Sequence, residues 1–396
     1  MLALEIAFWA SVALLVHTQV AYPICLWALA RLRRGVADVG GAAVEGGTMG
    51  APPPRGPSGA APPGEAPHVS LIVAAHDEEE VIERKLRNAL ALDYPRERLE
   101  LIVASDGSTD RTVEVARAAG ADVVLDLPRE GKVAAQNAAV ERARGELLAF
   151  SDANSFWAPD ALRRLVDPFG DPGVGYVCGQ VRLSADSGGT EEGAYWRYEM
   201  AVRRLESGLG GITAGNGAIY ATRRDAYLVL DSARGHDLSF PFALTKRGWR
   251  ALYAPDALAE EKMAPTIGGE FARKRRMMSR TWGVVLRDGM LSPRGYGPLY
   301  GFQMLSHRAL RYASPFLHLI ALGTNVALLG HGAVYSVALA IQAAVVAAAG
   351  LGALIPLRPL RMAHYYAMVE ASILVGLWDR LRSRTAVTWE KVEGTR

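Results

Sequence analysis

Cysteine is almost absent from this chain: Cys25 and Cys178 are the only two in 396 residues. One falls in an apolar run and the other in a polar-surfaced stretch, so no disulfide is expected and a small disulfide scaffold is excluded. An excess of either charge is also missing, because 44 Lys and Arg face 41 Asp and Glu for a net +3. A nucleic-acid partner, whose affinity would come from neutralising phosphates, is therefore not expected. Long apolar runs are lacking between residues 68 and 300, which read as an ordinary globular segment. A glycine-rich phosphate loop is lacking too. With 50% hydrophobic and 21% charged residues the chain is no disordered polyampholyte, and its length suits two to three domains.

The apolar runs stand at the ends. Residues 2 to 30 form an apolar run whose interruptions include Glu5, His17, Thr18 and Gln19, longer than the roughly 20 residues a spanning helix needs. The basic cluster Arg31, Arg33, Arg34 follows this run instead of preceding it. That favours an uncleaved anchor over a signal peptide and places the downstream chain in the cytoplasm. Residues 35–67 hold seven prolines and nine glycines, too little apolar surface to offset their conformational entropy, and read as a tether. Two further spans are expected at Leu310–Leu329 and Val334–Leu354, joined by Gly330-His331-Gly332 as a helical hairpin. The stretch 363–378 is short, carries Glu370 near its middle and is flanked by Arg361 and by Arg380, Arg382 and Arg384. Lying in the membrane interface suits it better than spanning. The resulting partition is an anchor (1–34), a linker (35–67), a cytosolic domain (68–266), amphipathic interface helices (267–308), a transmembrane hairpin (309–355), and an interfacial helix with cytosolic tail (356–396).

Within the soluble part, strand and helix patterns alternate. Apolar runs at His68–Ala75, Leu99–Ser105, Asp122–Leu125 and Glu146–Phe150 are separated by helical patterns near 78–92, 109–119 and 132–144. The expected class is α/β, a parallel-rich sheet covered by helices, with ligands at the carboxyl ends of the strands. After the first run come Ala75, His76 and the acids Asp77, Glu78, Glu79 and Glu80, which repel a pyrophosphate and disfavour a dinucleotide site. Glu79 and Glu80 read as solvated residues at a helix start. After the second run Asp106-Gly107-Ser108-Thr109-Asp110 offers both a helix cap and, in Asp106, a base or ribose contact. Lys132 opens the next helix against its dipole, explained either by an anionic ligand or by a solvated face, with Gln136 and Asn137 following. Ser151-Asp152-Ala153-Asn154 closes the fourth run; Asp152 and Asn154 present two oxygens suited to a hard divalent cation, the alternative being a turn before Pro159.

In this order, His76-Asp77-Glu78, Asp106-Gly107-Ser108-Thr109-Asp110, Gly131-Lys132 with Asn137, and Asp152-Ala153-Asn154 resemble the donor site of inverting family 2 glycosyltransferases of the GT-A fold. More narrowly, the chain resembles bacterial membrane-embedded members related to cellulose and hyaluronan synthases, including Tyr22-Pro23 and the His307, Leu310-Arg311-Tyr312, Pro315 stretch. The resemblance implies a nucleotide-diphosphate sugar donor, most often a UDP-sugar. Ala75, Asp77, Glu78 and Asp106 would hold the nucleoside, Lys132 and Asn137 the nucleotide, and Asp152 and Asn154 a Mg²⁺ or Mn²⁺ ion, Asn154 standing where many relatives carry a second Asp. It implies Asp237 of Gly235-His236-Asp237-Leu238 as the base that deprotonates the acceptor. His236 replaces the usual Glu, and an imidazole beside Asp237 is expected to keep it ionised or orient it. Asn216, in Thr213-Ala214-Gly215-Asn216-Gly217-Ala218, matches a loop at the acceptor end.

Residues 268–287 combine Arg273, Lys274, Arg275, Arg276, Arg280 and Arg287 with Phe271, Met277, Met278, Trp282, Val284 and Val285. This pattern predicts a basic amphipathic helix on an anionic leaflet, its aromatic face in lipid. Processive relatives carry Gln-x-x-Arg-Trp here, and this chain reads Lys274-Arg275-Arg276-Met277-Met278, which argues against polymerisation. Trp282 lies one turn beyond Met278, and Arg276 or Arg280 is placed to meet the leaving diphosphate. The expected activity is sugar transfer to a saccharide or lipid-linked acceptor, in polysaccharide or glycolipid synthesis. It takes place at the cytoplasmic face of a multi-pass inner-membrane protein, with membrane partner proteins left open. Two rivals are a nucleotidyltransferase, disfavoured by the acids after the first strand, and a non-catalytic membrane scaffold that retains the fold.

Overall fold

A computed structural model of the chain describes residues 1–40, 65–183, 190–232, 234–262 and 267–382. Most of the expected tether, and the tail beyond 382, lie outside the described residues. The N-terminal run is a long helix, α1 (Leu2–Val16) and α2 (Tyr22–Gly40), joined by a π turn at His17–Ala21. The domain then follows as β1 (Val69–Ala75), α3 (Ile82–Leu90), β2 (Leu99–Asp106), α4 (Thr112–Ala118), β3 (Val123–Leu127), α5 (Lys132–Arg142), β4 (Leu147–Asp152), β5 (Phe156–Trp157), α6 (Ala161–Val166), β6 (Val174–Leu183), α7 (Thr190–Gly208), β7 (Ile219–Arg223), α8 (His236–Thr245) and β8 (Arg250–Glu261).

Every residue of β1 is buried, as the continuous apolar run Val-Ser-Leu-Ile-Val-Ala-Ala requires of a strand covered on both faces. The sheet has eight strands in the order β3-β2-β1-β4-β7-β6-β8-β5. Strands β1 to β4 are mutually parallel where they pair, β7 runs antiparallel between β4 and β6, and β5 returns antiparallel on β8. The expected parallel half is thus present, extended by a mixed half that begins after Asp152. The carboxyl ends of the parallel neighbours β1, β2 and β4 open on one edge.

The remaining helices are α9 (Ile267–Arg287), α10 (Pro298–Gln303), α11 (Leu310–Ala327), α12 (Ala333–Leu351) and α13 (Arg358–Leu381), with a second π turn at Met304–Ala309. The two π turns face each other, His17 Nε2 lying 2.9 Å from Ser306 Oγ. Among the described residues two helices are long and apolar enough to cross a membrane, Leu2–Arg33 and Ala333–Leu351. α11 packs against α1 and α12.

Two expectations change here. The apolar face of α9 is covered by protein and not by lipid: Trp282, Val284 and Val285 are buried with Tyr300, Met304, Tyr312 and Ile373. Stretch 363–378 is likewise no isolated interfacial segment. It belongs to the 24-residue α13, whose Met368, Val369, Ser372, Ile373, Gly376 and Asp379 form one buried stripe, packed against α9. Glu370, the residue that argued for the interface, accepts a 2.6 Å hydrogen bond from Ser314 of α11.

Candidate active site

The loops after β1 and β2 are stitched together by the residues that looked like ligands. Asp77 takes the left-handed conformation, φ 51°. Its N–H donates to Ser108 Oγ at 3.0 Å, and its Oδ1 accepts from the Thr109 N–H at 2.7 Å. Glu78 N–H donates to Thr112 Oγ1 at 2.7 Å, and Glu79 exchanges hydrogen bonds with Asp110 and the Arg111 N–H. The Asp77 and Glu79 carboxylates thus saturate orphan N–H groups of the neighbouring loop. Ala75 ends β1, fully buried. Next to it His76 Nδ1 lies 2.7 Å from the Asp106 carbonyl.

Asp106 closes β2 and is buried. Its Oδ1 accepts from the Glu130 and Gly131 N–H groups, both at 2.8 Å, whereas its Oδ2 is buried without a hydrogen-bond partner among the described residues. Gly131 holds φ 99°, open to glycine at little cost, and caps α5 so that both amides converge on Asp106. The next residue, Lys132, forms an ion pair with the Asp152 carboxylate at the end of β4 and reaches the Gly217 carbonyl at 3.3 Å. Segment 130–132 therefore joins the end of β2 to the end of β4.

Lys132 also lines a cavity of about 360 Å³ whose walls include Gly217, Tyr220, Arg234, His236, Asp237, Arg273, Arg276, Met277 and Arg280. Asp237 enters it from the first turn of α8, its carbonyl accepting from the Gly215 N–H at 2.7 Å. Arg276 and Arg280 come from α9. Two neighbouring arginines are held by carboxylates, Arg273 by Glu270 at 2.8 Å and Arg234 by Asp288 at 2.7 Å. An anion entering this cavity meets several cations and one carboxylate, a balance suited to a leaving phosphate group beside a base.

Comparison with known proteins is decisive at this point: the family model described as "Glycosyl transferase family 2" matches residues 70–228. Residues 70–228 are thus similar to that family. Glycosyltransferase AglE of Haloferax volcanii is 31% identical over 134 residues, 33% of this chain and 44% of that protein. Poly-beta-1,6-N-acetyl-D-glucosamine synthase of Staphylococcus aureus is 27% identical over 233 residues, 56% of each chain. This chain spans about half the length of these relatives. A mannosyltransferase of Pyrobaculum calidifontis, PcManGT, solved in complex with GDP-Man and Mn²⁺, has the same fold, with TM-score 0.67 at 23% identity over 96% of this chain and 99% of that one. The sheet is accordingly the mixed sheet of a GT-A domain.

Several expected contacts of this glycosyltransferase domain are spent inside the protein. Asn137 braces the loop before α8, donating to the Leu230 carbonyl at 2.9 Å and accepting from Tyr227 Oη at 2.7 Å. Asn216 donates to the Gly179 carbonyl and accepts from the Ala218 and Ile219 N–H groups, at 3.2 and 3.0 Å, so its amide shapes the loop. Trp282 is buried and donates through Nε1 to the Ile373 carbonyl at 2.9 Å, which removes it as a platform for an acceptor. His236 is buried among Phe150, Tyr220, Tyr227 and Phe240, with Nδ1 2.5 Å from Tyr220 Oη. Burial, reinforced by the Lys132 charge, pushes its pKa down to about 3. The imidazole is therefore neutral, and the expected electrostatic help to Asp237 gives way to a packing role at the start of α8.

Two residues of this region were not singled out from sequence. Lys85 of α3 is fully buried, and its Nζ donates to the Ser155 carbonyl at 2.6 Å. Burial lowers its pKa to about 7 against the pull of Asp152 and Glu261. Glu261 ends β8, and burial together with the Asp152 charge raises its pKa to about 7. Lys85 was detectable: it occupies the buried stripe of α3 with Ile82, Leu86 and Ala89. Glu261 carries no local signal, being brought to β5 by a long-range pairing.

Proposed function

We propose that the protein is a membrane-anchored inverting glycosyltransferase. It would move a sugar from a nucleotide-diphosphate donor, with a UDP-sugar as first candidate, to a saccharide or lipid-linked acceptor in polysaccharide or glycolipid synthesis. One observation carries the reading: segment 130–132 touches Asp106 on one side and Asp152 on the other, while Lys132 lines the same cavity as Asp237. Nucleoside contact, diphosphate contact and base thus lie around one segment.

In this reading the acceptor hydroxyl attacks the anomeric carbon as the bond to the diphosphate oxygen breaks, and the hydroxyl proton passes to the Asp237 carboxylate. Lys132, Arg276 and Arg280 hold the departing charge. Asp106 offers a buried Oδ2, unpartnered among the described residues, to a nucleoside donor group. Asp152 already holds a cation, the Lys132 ammonium, and with the neutral Asn154 oxygen it supplies a donor set that fits a hard divalent ion. Mg²⁺ or Mn²⁺ bound by these residues supplies charge neutralisation for the diphosphate.

The flanking helices support a membrane setting. Ile6, Trp9, Val16, Val20 and Ile24 on the first helix are exposed, as are Leu319, Ile320 and Val326 on α11 and Val337, Ile341 and Val346 on α12. Such a belt of large apolar side chains suits lipid. Arg31 and Arg33 follow the first span, which supports a cytoplasmic position for the domain at the face of the inner membrane.

The test uses the full chain in detergent, given UDP- and GDP-sugars with Mn²⁺, with release of the nucleotide diphosphate measured. Asp237→Asn is expected to lower turnover by about 10²- to 10⁴-fold with nucleotide binding retained. Equal release by both proteins rejects the mechanism.

A further inference from the structure

The donor set read from sequence is one acid short, because Asn154 brings a neutral oxygen. The structure places another acid beside it. In the antiparallel pair of β5 and β8 the last partners are Phe156 and Glu260, so Glu261 lies one step beyond, opposite Ser155. Side chains alternate along a strand. Glu260 is exposed, and Glu261 shares the inward face of Ala257 and Ala259, both fully buried. A glutamate at a strand end ordinarily turns its carboxylate to water, yet here Oε1 is closed off from solvent. The turn that follows Asp152 closes on this point, the Ser155 N–H donating to the Asp152 carbonyl at 3.2 Å, so the ends of β4 and β8 meet at one turn, where Lys85 and Lys132 are cations already facing the two acids.

The turn between the two acids is built to hold its shape. Lys85 Nζ grips the Ser155 carbonyl at 2.6 Å, and the Asn88 side chain both donates to the Trp157 carbonyl at 2.8 Å and accepts from the Trp157 N–H at 2.9 Å. Helix α3 thereby clamps 155–157 from beneath and fixes the first oxygen donors relative to the end of β8.

We propose that Glu261 supplies the second carboxylate of the divalent-cation site, in place of the acid that position 154 lacks. The ligand class is a hard, oxygen-preferring ion, Mg²⁺ or Mn²⁺, held by Asp152, Asn154 and Glu261. The assignment rests on the glycosyltransferase reading above and deepens it, since it predicts that one charge has moved from β4 to β8 with the total kept.

The experiment titrates Mn²⁺ into the full chain in detergent, with UDP or GDP present, and follows the free-ion signal by electron paramagnetic resonance. Glu261→Gln is expected to weaken Mn²⁺ binding by about tenfold or more. Glu261→Gln combined with Asn154→Asp is expected to recover most of that loss, because the carboxylate returns on the other strand. Melting temperatures without metal accompany each variant. Binding by Glu261→Gln equal to wild type overturns the assignment alone. So does a double variant as weak as the single one, or a metal-independent melting loss that the second substitution leaves in place. Absence of Mn²⁺ binding by the unaltered chain with either nucleotide overturns the cation site of the proposed function as well.

Discussion

Gly376 decides what covers α9. A Cβ built there stands 2.6 Å from Met278 Cβ and 2.9 Å from both Met278 C and Ser279 N. Two of the three atoms are α9 backbone and cannot rotate aside, so Gly376→Ala forces the helices apart by about 1 Å to regain ordinary contact near 3.5–4.0 Å. Bonds on either side stretch with them: Trp282 Nε1 to the Ile373 carbonyl at 2.9 Å and Arg275 to Asp379 at 2.8 Å. Overpacking of this kind costs about 1–3 kcal/mol, and the helix propensity gained by replacing glycine returns roughly 0.5–1 kcal/mol. The balance is a net loss of about 0–2.5 kcal/mol, whose midpoint of about 1.2 kcal/mol lowers the melting temperature by roughly 2–5 °C for a domain of this size. The assay is thermal unfolding of the full chain in detergent at a fixed scan rate. Because α9 carries Arg276 and Arg280 on the cavity wall, the donor KM should rise with the shift. A glycine that faced lipid would behave oppositely, showing only the propensity gain. A melting temperature raised in Gly376→Ala therefore refutes the packing of α13 on α9.

A buried polar network joins the first helix to the domain and supplies two more predictions. Tyr22 Oη donates to Glu206 Oε1 at 2.6 Å with both side chains buried, so Tyr22→Phe should cost about 1.5–3 kcal/mol, read as a drop in melting temperature; no drop would show that the bond adds nothing. His307 Nδ1 lies 2.7 Å from the same Glu206 oxygen. Burial raises the Glu206 pKa, but His307 and Arg308 outweigh it and bring it to about 2, whereas burial and Arg308 lower that of His307 and the carboxylates Glu206 and Glu199 lift it above the ordinary histidine value. The Glu206 contribution is present above the usual carboxyl pKa of about 4.3 and fades as pH falls through its depressed value. That of His307 is complete below about 6.5 and fades as pH rises through its elevated one. The melting difference between wild type and His307→Gln should therefore be largest near pH 5–6.5 and shrink toward alkaline pH, and a difference constant to pH 9 contradicts the pairing.

What sequence revealed and what it hid follow one physical rule. Strands β1, β2 and β4 are continuous apolar runs ending in Ala75, Asp106 and Asp152, and both the runs and the turn chemistry after them are local. Asp237 at the start of α8 was legible for the same reason. Side chains whose partners come from far along the chain were not. Asn137 and Asn216 had the right types for ligands, but their amides are consumed by Leu230 and Tyr227, and by Gly179. Glu261 was invisible because only the β5–β8 pairing brings it opposite Ser155.

The basic helix shows the limit most clearly. An amphipathic period reports that one face is withdrawn from water, and it is the same whether lipid or protein covers that face. Trp282, Val284 and Val285 satisfy both readings. The discriminating feature lies on the other partner, about a hundred residues away, where α13 carries a glycine at the point of closest approach and Asp379 opposite Arg275. Lipid needs neither a missing side chain nor a matched carboxylate, whereas a helix packed at short range needs both. It is the small residue on the covering helix, more than the aromatic residues on the covered one, that identifies a protein interface.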